Sequence, residues 1–211
     1  MAAWRLYGRD ISHFVVAAQK MLDLKRIPYE PVYVPYHDPT KLLAASGQDY
    51  VPWLETAPGK GVAWYDIPDF LEKERPQPSL YPAGTRGRAR LVEDWAHQVV
   101  EEAVWKYVVA DAVPTFRDPI ERWVFVEMQE RRRGPLEAMA ARKPEFLEGV
   151  RHVARLSEDL LGANSYLLGD APSLADAALW GSFSPLWKTG NEIPKEFARL
   201  REWQERVAKL A

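Results

Sequence analysis

Cysteine is absent from this sequence of 211 residues. Its absence excludes disulfide bonds, thiolate metal ligands and a cysteine nucleophile, and with them thiol–disulfide chemistry. The four histidines lack the spacing of a metal site, so no metal is expected. There is also no glycine-rich phosphate loop.

An excess of charge of one sign is lacking as well. Lys and Arg number 28 against 30 Asp and Glu, a formal net charge of -2. This balance gives no electrostatic reason to expect nucleic acid or an anionic membrane as a partner. No apolar run approaches the roughly 20 residues of a membrane span, and the first ten residues lack the apolar core of a signal peptide. We therefore expect a cytoplasmic protein.

Strands and helices alternate in the first third of the chain. Apolar periodicity and turn residues predict the order βαβαββα, which is typical of a small α/β domain. The predicted elements are a strand over 4–8, a helix over 13–25, a strand over 31–36, a helix over 40–45, a hairpin of 52–55 with 61–64, and a helix over 66–73.

Only helices are predicted after a Pro- and Gly-rich stretch. The sequence therefore divides into an α/β domain over residues 1–78, a linker over 79–85 and an all-helical domain over 86–211. In the first helix, apolar residues recur every four positions from Leu91 to Tyr107, as on a packed helix face. The predicted helices cover residues 86–110, 118–133, 145–161, 174–183 and 196–210.

The stretch from Ser165 to Ser184 has the clearest local signal. Ser173 is placed as an N-cap, and Asp176 three residues later completes a capping box. The helix that follows is apolar on nearly all sides, which is typical of a buried helix. We predict that it is the central post of the helical domain and that Pro185 ends it.

Five motifs carry a resemblance to a known family. In their order and spacing they are similar to motifs of bacterial members of the glutathione S-transferase superfamily. The resemblance covers essentially the whole chain and implies a thioredoxin-like N-terminal domain followed by an all-helical domain. The motifs are Leu6-Tyr7-Gly8 with Ser12, Ile27-Pro28-Tyr29-Glu30, Val51-Pro52 with Trp53-Leu54, Ser79-Leu80-Tyr81-Pro82, and the segment from Asp170 to Asp176.

The resemblance implies a reaction of glutathione as co-substrate. A free thiol has a pKa near 8.5, roughly, so a hydroxyl donor at a helix N-terminus would stabilise the thiolate. Ser12 stands where the family places its catalytic serine, although a serine there would also be a plain helix cap. Tyr7 is the alternative donor, because some branches use a tyrosine of this strand; otherwise it packs on the hairpin.

The resemblance also implies where the thiol would bind. The Val51-Pro52 bond would be cis and would present the backbone of Val51 to a peptide, as an added strand does. The Glu-Ser pair that holds the γ-glutamyl group falls on Ala63 and Trp64, and neither side chain can bind a carboxylate.

Other side chains could substitute for the missing pair. Asp66 could take the ammonium group or simply cap the next helix, and Tyr65 lies between it and Trp64. His13 replaces the family's proline and could bind an anion or tune the site, although a histidine in a first helical turn is often incidental.

The interpretation that follows is a transferase joining a glutathione-type thiol to a small electrophile, with Ser12 stabilising the thiolate. The alternatives are a transferase for a different thiol and a non-catalytic binding protein, since Ala63 and Trp64 replace the Glu-Ser pair. The family implies a homodimer, and the nine tryptophans fit a large buried interface. The second substrate would lie between the domains, lined by Trp95, Trp105, Tyr107 and Phe116.

Overall fold

A computed structural model describes residues 4–82 and 84–210. Its N-terminal part has the predicted order βαβαββα, which confirms the thioredoxin-like arrangement. Residues 1–3 and 211, at the ends of the two predicted domains, and Ala83 in the predicted linker lie outside the described residues. The elements are β1 (Trp4–Gly8), α1 (His13–Leu24), β2 (Tyr29–Tyr33), α2 (Thr40–Ser46), β3 (Trp53–Ala57), β4 (Lys60–Ala63) and α3 (Ile67–Glu74).

The four strands form one mixed sheet in the order β2-β1-β3-β4. β1 runs parallel to β2 and antiparallel to β3, and β3 and β4 form the predicted hairpin. The second strand starts at Tyr29 and not at Pro31, because Trp4 pairs with Tyr29 and Gly8 with Tyr33. The sequence pattern had placed this strand two residues too late.

The C-terminal part is helical, as predicted. Two of its features were missed: the short helix α7 and a π-helical turn that continues α4 into α5. The elements are α4 (Arg86–Trp95), the π-helical turn (Ala96–Val100), α5 (Glu101–Ala112), a 3-10 turn (Val113–Thr115), α6 (Pro119–Arg133), α7 (Leu136–Ala141), α8 (Lys143–Leu161), α9 (Leu174–Lys188) and α10 (Ala198–Ala208).

One continuous helix is formed by α4, the π-helical turn and α5. The face that it buries in the core differs from the one predicted from the spacing of four. Leu91 is 70% exposed and Val99 46%, whereas Val92, Val100 and Val104 are buried. A helix repeats every 3.6 residues, so a strict spacing of four drifts around the cylinder. The π-helical turn adds a further shift of the face.

Helix α9 is the buried post that its composition predicts. Asp176 accepts hydrogen bonds from the backbone of Ser173 at 2.9 Å, from Leu167 N at 3.0 Å and from the Trp203 indole at 2.8 Å. Its residues enter both apolar cores: Leu174 belongs to the core under the sheet, and Phe183 to that of the helical bundle.

The prediction that Pro185 ends α9 is wrong, because the helix continues to Lys188. A proline inside a helix leaves the carbonyl four residues earlier without its donor. Here that carbonyl belongs to Gly181, and the Ser184 hydroxyl donates to it at 2.7 Å. The local side chain thus replaces the lost bond, and α9 gains one more turn.

None of the helices described between residues 4 and 210, Ala83 aside, is long and apolar enough to cross a membrane.

Candidate functional site

The predicted site residues meet at one edge of the sheet. β1 ends at Gly8, beside the start of β3, and Trp53 pairs there with both Tyr7 and Ala63. The loop leading to Ser12, the Val51-Pro52 segment and the stretch from Trp64 to Asp66 therefore leave the sheet at the same edge. The Val51-Pro52 peptide bond is cis, as the resemblance implied.

Ser12 is the N-cap residue of α1, but its side chain makes no capping hydrogen bond. Its backbone N–H donates to the carbonyl of Arg9 at 3.0 Å, which fixes the turn before the helix. The side chain is half-buried. The hydroxyl is therefore held at the positive end of α1 without being used by the helix itself.

Tyr7 faces a different set of groups. Its ring is buried, and its hydroxyl donates to the Glu55 carboxylate at 3.1 Å. Glu55 also pairs with Arg5 at 2.6 Å. Burial and the Glu55 hydrogen bond raise the pKa of the Tyr7 hydroxyl. The Tyr7 hydroxyl is thus committed to Glu55, whereas the Ser12 hydroxyl has no hydrogen bond to any residue that the structure describes.

Ala63 and Trp64 stand where the resemblance puts the family's Glu-Ser pair, and Trp64 lies among other aromatic rings. The indole of Trp64 lies 4.2 Å from the Phe14 ring and 5.6 Å from the His97 ring, measured between ring centroids. Trp64 is half-buried, and Tyr65 is 58% exposed. Asp66 is the N-cap residue of α3 but makes no side-chain capping bond, so its exposed carboxylate is available.

His13 turns away from solvent, towards the helical domain. Its Nδ1 lies 3.7 Å from a carboxylate oxygen of Glu101, and its ring is 5.3 Å from that of His97. The π-helical turn carries His97 and delivers Glu101 to this position.

Burial is the main cause of the pKa shifts of His13, His97 and Glu101. It lowers the pKa of His13 well below 6.5, with His97, Arg132 and Arg133 acting in the same direction. Burial lowers the pKa of His97 to about 3 and raises that of Glu101 to about 7. The first turn of α1 therefore carries a neutral imidazole, His13, which lies beside a second neutral imidazole, His97, and beside the Glu101 carboxyl, which titrates near neutrality.

A cleft of about 570 Å³ opens beside the loop that carries Ser12. Phe116 lines it as predicted, but Trp95, Trp105 and Tyr107 do not, since they pack in or against the helical core. Lys188 was missed because α9 was predicted to end at Pro185. The cleft is lined by Asp10, Ile11, Tyr33, Thr115, Phe116, Arg117, Asp118, Glu121 and Lys188.

Glu121 joins the two domains at the wall of this cleft. One of its oxygens accepts from the Tyr33 hydroxyl at 2.8 Å and from the backbone N–H of Tyr36 at 3.1 Å. The carboxylate is buried, so both bonds are shielded from water. These two bonds thus tie the cleft wall to the sheet side of the molecule.

No three His, Asp or Glu side chains among the described residues are grouped so that they could hold a metal ion.

Models of two domain families match this sequence. The Glutathione S-transferase, N-terminal domain, matches residues 6–79, and the Glutathione S-transferase, C-terminal domain, matches residues 136–206. A segment of 56 residues is 38% identical to cytoplasmic methionine–tRNA ligase of Xenopus laevis. That segment is 26% of this chain and only 6% of the relative, so the chain spans a small part of its length.

The fold is similar to those of solved structures along its whole length. Glutathione transferase GSTFuA3 from Phanerochaete chrysosporium gives a TM-score of 0.82 at 20% identity, covering 100% of this chain and 98% of that one. Glutaredoxin 2 from Salmonella typhimurium in complex with glutathione gives 0.79 at 20% identity, with 100% and 95% covered. A glutathione S-transferase from Rhodospirillum rubrum F11 gives 0.76 at 21% identity, with 98% and 88% covered.

Proposed function

Because the chain belongs to the glutathione S-transferase superfamily, we propose that it joins a glutathione-type thiol to a small electrophile. In this proposal Ser12 stabilises the thiolate. The observation that carries it is the Ser12 hydroxyl at the N-terminus of α1, which makes no capping bond and directly follows Asp10 and Ile11 in the lining of an open cleft. A sulfur anion placed there accepts a hydrogen bond from the hydroxyl and gains from the helix dipole.

The reaction needs little else from the protein. The bound thiol loses its proton to solvent, and the thiolate then attacks the electrophilic carbon of a molecule held in the cleft. The Ser12 hydroxyl lowers the thiol pKa because it stabilises only the charged form. Tyr7 would serve less well, since its own hydroxyl is already bound to Glu55.

The proposed thiol site lies along the same edge of the sheet. The backbone of Val51, just before Pro52 and β3, would pair with the thiol as an added strand. Asp66 would take an ammonium group, and Trp64 and Tyr65 would offer their ring faces. His13 would act from behind, since its buried side chain supports the first turn that carries Ser12.

Replacement of Ser12 by alanine tests the proposal directly. Loss of one charge-assisted hydrogen bond costs about 1.5–3 kcal/mol, so kcat/KM for thiol conjugation should fall by about 10- to 150-fold. Tyr7→Phe is the matched control and should retain most of the activity. An unchanged rate in Ser12→Ala, with the circular dichroism spectrum intact, would remove Ser12 from this role.

Trp64 favours a second candidate, a transferase for a thiol other than glutathione. Its indole stands where the family has a serine that holds the γ-glutamyl carboxylate, and it packs on Phe14 at 4.2 Å. Calorimetry with glutathione distinguishes the two candidates. Affinity tighter than about 1 mM, roughly -4 kcal/mol, supports glutathione.

If glutathione does not bind, other cellular thiols are tested in the same way. Binding of one of them supports the second candidate. Absence of binding by every thiol contradicts both and favours a non-catalytic binding protein.

We also propose that two copies of the chain associate through the exposed stripe of α4 and the π-helical turn. Leu91 and Val99 are 70% and 46% exposed, and Trp95 lies half-buried between them at helical spacing. Apolar side chains grouped in this way are typical of an interface. Leu91→Glu combined with Val99→Glu should convert a dimer to a monomer in light scattering.

Trp123→Glu is the control for this assembly, because Trp123 is 63% exposed on a different helix, α6. It should leave the dimer intact. Dissociation by Trp123→Glu alone would move the interface to α6.

A further inference from the structure

The cleft lined by Asp10 and Ile11, the two residues before Ser12, combines an apolar floor with charged walls. Ile11 and Phe116 are both buried, and the Phe116 ring packs against Phe125 at 4.5 Å. Tyr33 adds a third apolar surface, with its hydroxyl turned to Glu121. The floor therefore suits a small aromatic body, and the charged groups around it decide which substituents that body can carry.

Two of the three carboxylates in the cleft are already used by the fold. Asp118 caps α6 by accepting from Ile120 N at 2.7 Å and Glu121 N at 3.0 Å. Glu121 accepts from Tyr33 and from Tyr36. Only the Asp10 carboxylate has no hydrogen bond or ion pair within the part of the chain that the structure describes.

The two cations of the cleft, Arg117 and Lys188, also lack an ion-pair partner among the described residues. Over residues 4–82 and 84–210, neither Arg117 nor Lys188 has a carboxylate within ion-pairing distance. Lys188 sits in the last turn of α9, the turn that exists because Ser184 compensates Pro185. Burial lowers the pKa of its ammonium, and the attraction of Asp10 only partly opposes this. The lining holds three carboxylates and two cations, but within the described residues no carboxylate pairs with the Lys188 ammonium, which leaves it open to the carboxylate of a ligand.

We propose that Lys188 is a specificity-determining residue that selects electrophiles carrying a carboxylate on a small aromatic body. The carboxylate would pair with the Lys188 ammonium, and the ring would lie on Ile11 and Phe116. Asp10 would oppose the same ligand by repulsion and thereby set the strength of selection. This inference rests on the proposed function, because the thiolate at Ser12 is what reacts with the bound electrophile.

With an aryl chloride, the reaction is a nucleophilic substitution at the ring. The thiolate sulfur forms a bond to the ring carbon that bears chlorine, the carbon–chlorine bond breaks, and chloride leaves with its electron pair. The thiol proton has already passed to solvent. No oxidant or reductant is needed.

Binding is measured first, by calorimetry without any thiol, so that the result does not depend on turnover. The probes are 3,5-dinitrobenzoate and 1,3-dinitrobenzene, which differ by one carboxylate. The unaltered protein should bind the carboxylate at least tenfold more tightly. Lys188→Met should abolish this preference, Asp10→Asn should increase it, and Lys195→Met, outside the cleft, should leave it unchanged.

Opposite effects of Lys188→Met and Asp10→Asn are not expected from a merely structural role. Equal binding of both probes to the unaltered protein overturns the inference. So does a carboxylate preference that survives Lys188→Met.

Turnover then separates this inference from the proposed function. With glutathione, 4-chloro-3,5-dinitrobenzoate should give a higher kcat/KM than 1-chloro-2,4-dinitrobenzene after correction for their uncatalysed rates, and Lys188→Met should reverse the order. If neither chloride is turned over with glutathione or with any other thiol that binds, while the carboxylate preference in binding persists, the transferase proposal fails and the binding selectivity of Lys188 stands.

Discussion

The imidazole of His97 illustrates how much a single buried side chain contributes to the pH response of this fold. It is 5% exposed, and burial lowers its pKa from 6.5 to about 3. A histidine with a lowered pKa contributes stability that is present above pH 6.5 and is lost as the pH falls towards the folded value. At about 1.36 kcal/mol per pKa unit, the full loss is up to about 5 kcal/mol.

His97→Phe should therefore flatten the acid side of the stability profile. Urea unfolding at about pH 7 and about pH 4.5 measures the free energy of unfolding at both ends. His152→Phe is the control, because it makes the same substitution at an exposed position outside this buried group. A slope in His97→Phe as steep as that of the unaltered protein would contradict the assignment.

Glu101 should act on the opposite side of neutrality. Burial raises its pKa from 4.5 to about 7, and the side chain is 7% exposed. A carboxyl with a raised pKa contributes stability that is complete below 4.5 and is lost as the pH rises through about 7. The loss is about 3 kcal/mol. Glu101→Gln should remove it, so that the variant gains stability relative to the parent between about pH 5 and 8 in the same unfolding assay.

The position of Ser12 at the start of α1 is predictable from the sequence, but the contact of His13 with His97 and Glu101 is not. A cap residue is readable from its neighbours, because its partners lie within one helical turn. His13, His97 and Glu101 meet only because α1 and the π-helical turn pack together, and no local pattern reports that contact. His13 was singled out as a ligand-binding residue by its position, whereas its burial depends on the second domain.

The contact between α1 and α9 is the element-scale feature that holds the site. A Cβ added to Gly181 would overlap the carbonyl oxygen of His13 and lie 2.8 Å from the Cβ of Ala17. Gly181→Ala should push α1 away and cost about 1–3 kcal/mol by overpacking. Because α1 carries Ser12, thiol conjugation should fall as well.

Gly149→Ala is the matched control for this substitution. A Cβ there would meet only the Ala103 Cβ, at 3.9 Å, within a helix of similar length. Alanine should stabilise this helix by about 0.5–1 kcal/mol. Thermal unfolding and activity of both variants test the pair, and a Gly181→Ala protein as stable as Gly149→Ala would contradict the tight contact.

Element boundaries were predicted well where the signal is local. The Ser173 and Asp176 box and the Asp118 cap are confirmed, since each joins groups only a few residues apart. Pro185 misled because a proline is usually incompatible with a helix interior. The compensating Ser184 is visible in the sequence, but its hydroxyl could equally have bonded elsewhere.

At the scale of the whole molecule, α9 contributes side chains to both apolar cores, and we therefore expect the two domains to unfold as one cooperative unit. Leu174 packs with the core beneath the sheet, and Phe183 packs in the core of the bundle. Phe183→Ala should cost about 3–5 kcal/mol. If the cores are coupled, amide hydrogen exchange should accelerate in β1 and β3 as much as in α5. Acceleration confined to the helical domain would show that the domains unfold separately.

The order of elements was largely readable because strands and helices alternate with clear periodicity. The buried faces of the helices were harder to predict than the order of elements. Leu91 and Val99 follow a helical spacing yet point to solvent. Which side of an amphipathic helix meets the core depends on its neighbours, and a second copy of the chain would be one such neighbour. The linker boundaries at 79–85 stay a prediction.

The course of α9 bears on how this protein can be divided. The chain breaks most simply between α3 and α4, yet Leu174 and Ala177, about a hundred residues beyond that break, form part of the core under the sheet. A fragment ending before α4 would therefore expose an unfilled apolar trough and would be insoluble when expressed alone. Co-expressed halves should reassemble, because the second fragment supplies the α9 residues that complete the core under the sheet. The point at which the sequence divides most simply therefore does not separate two independently packed cores.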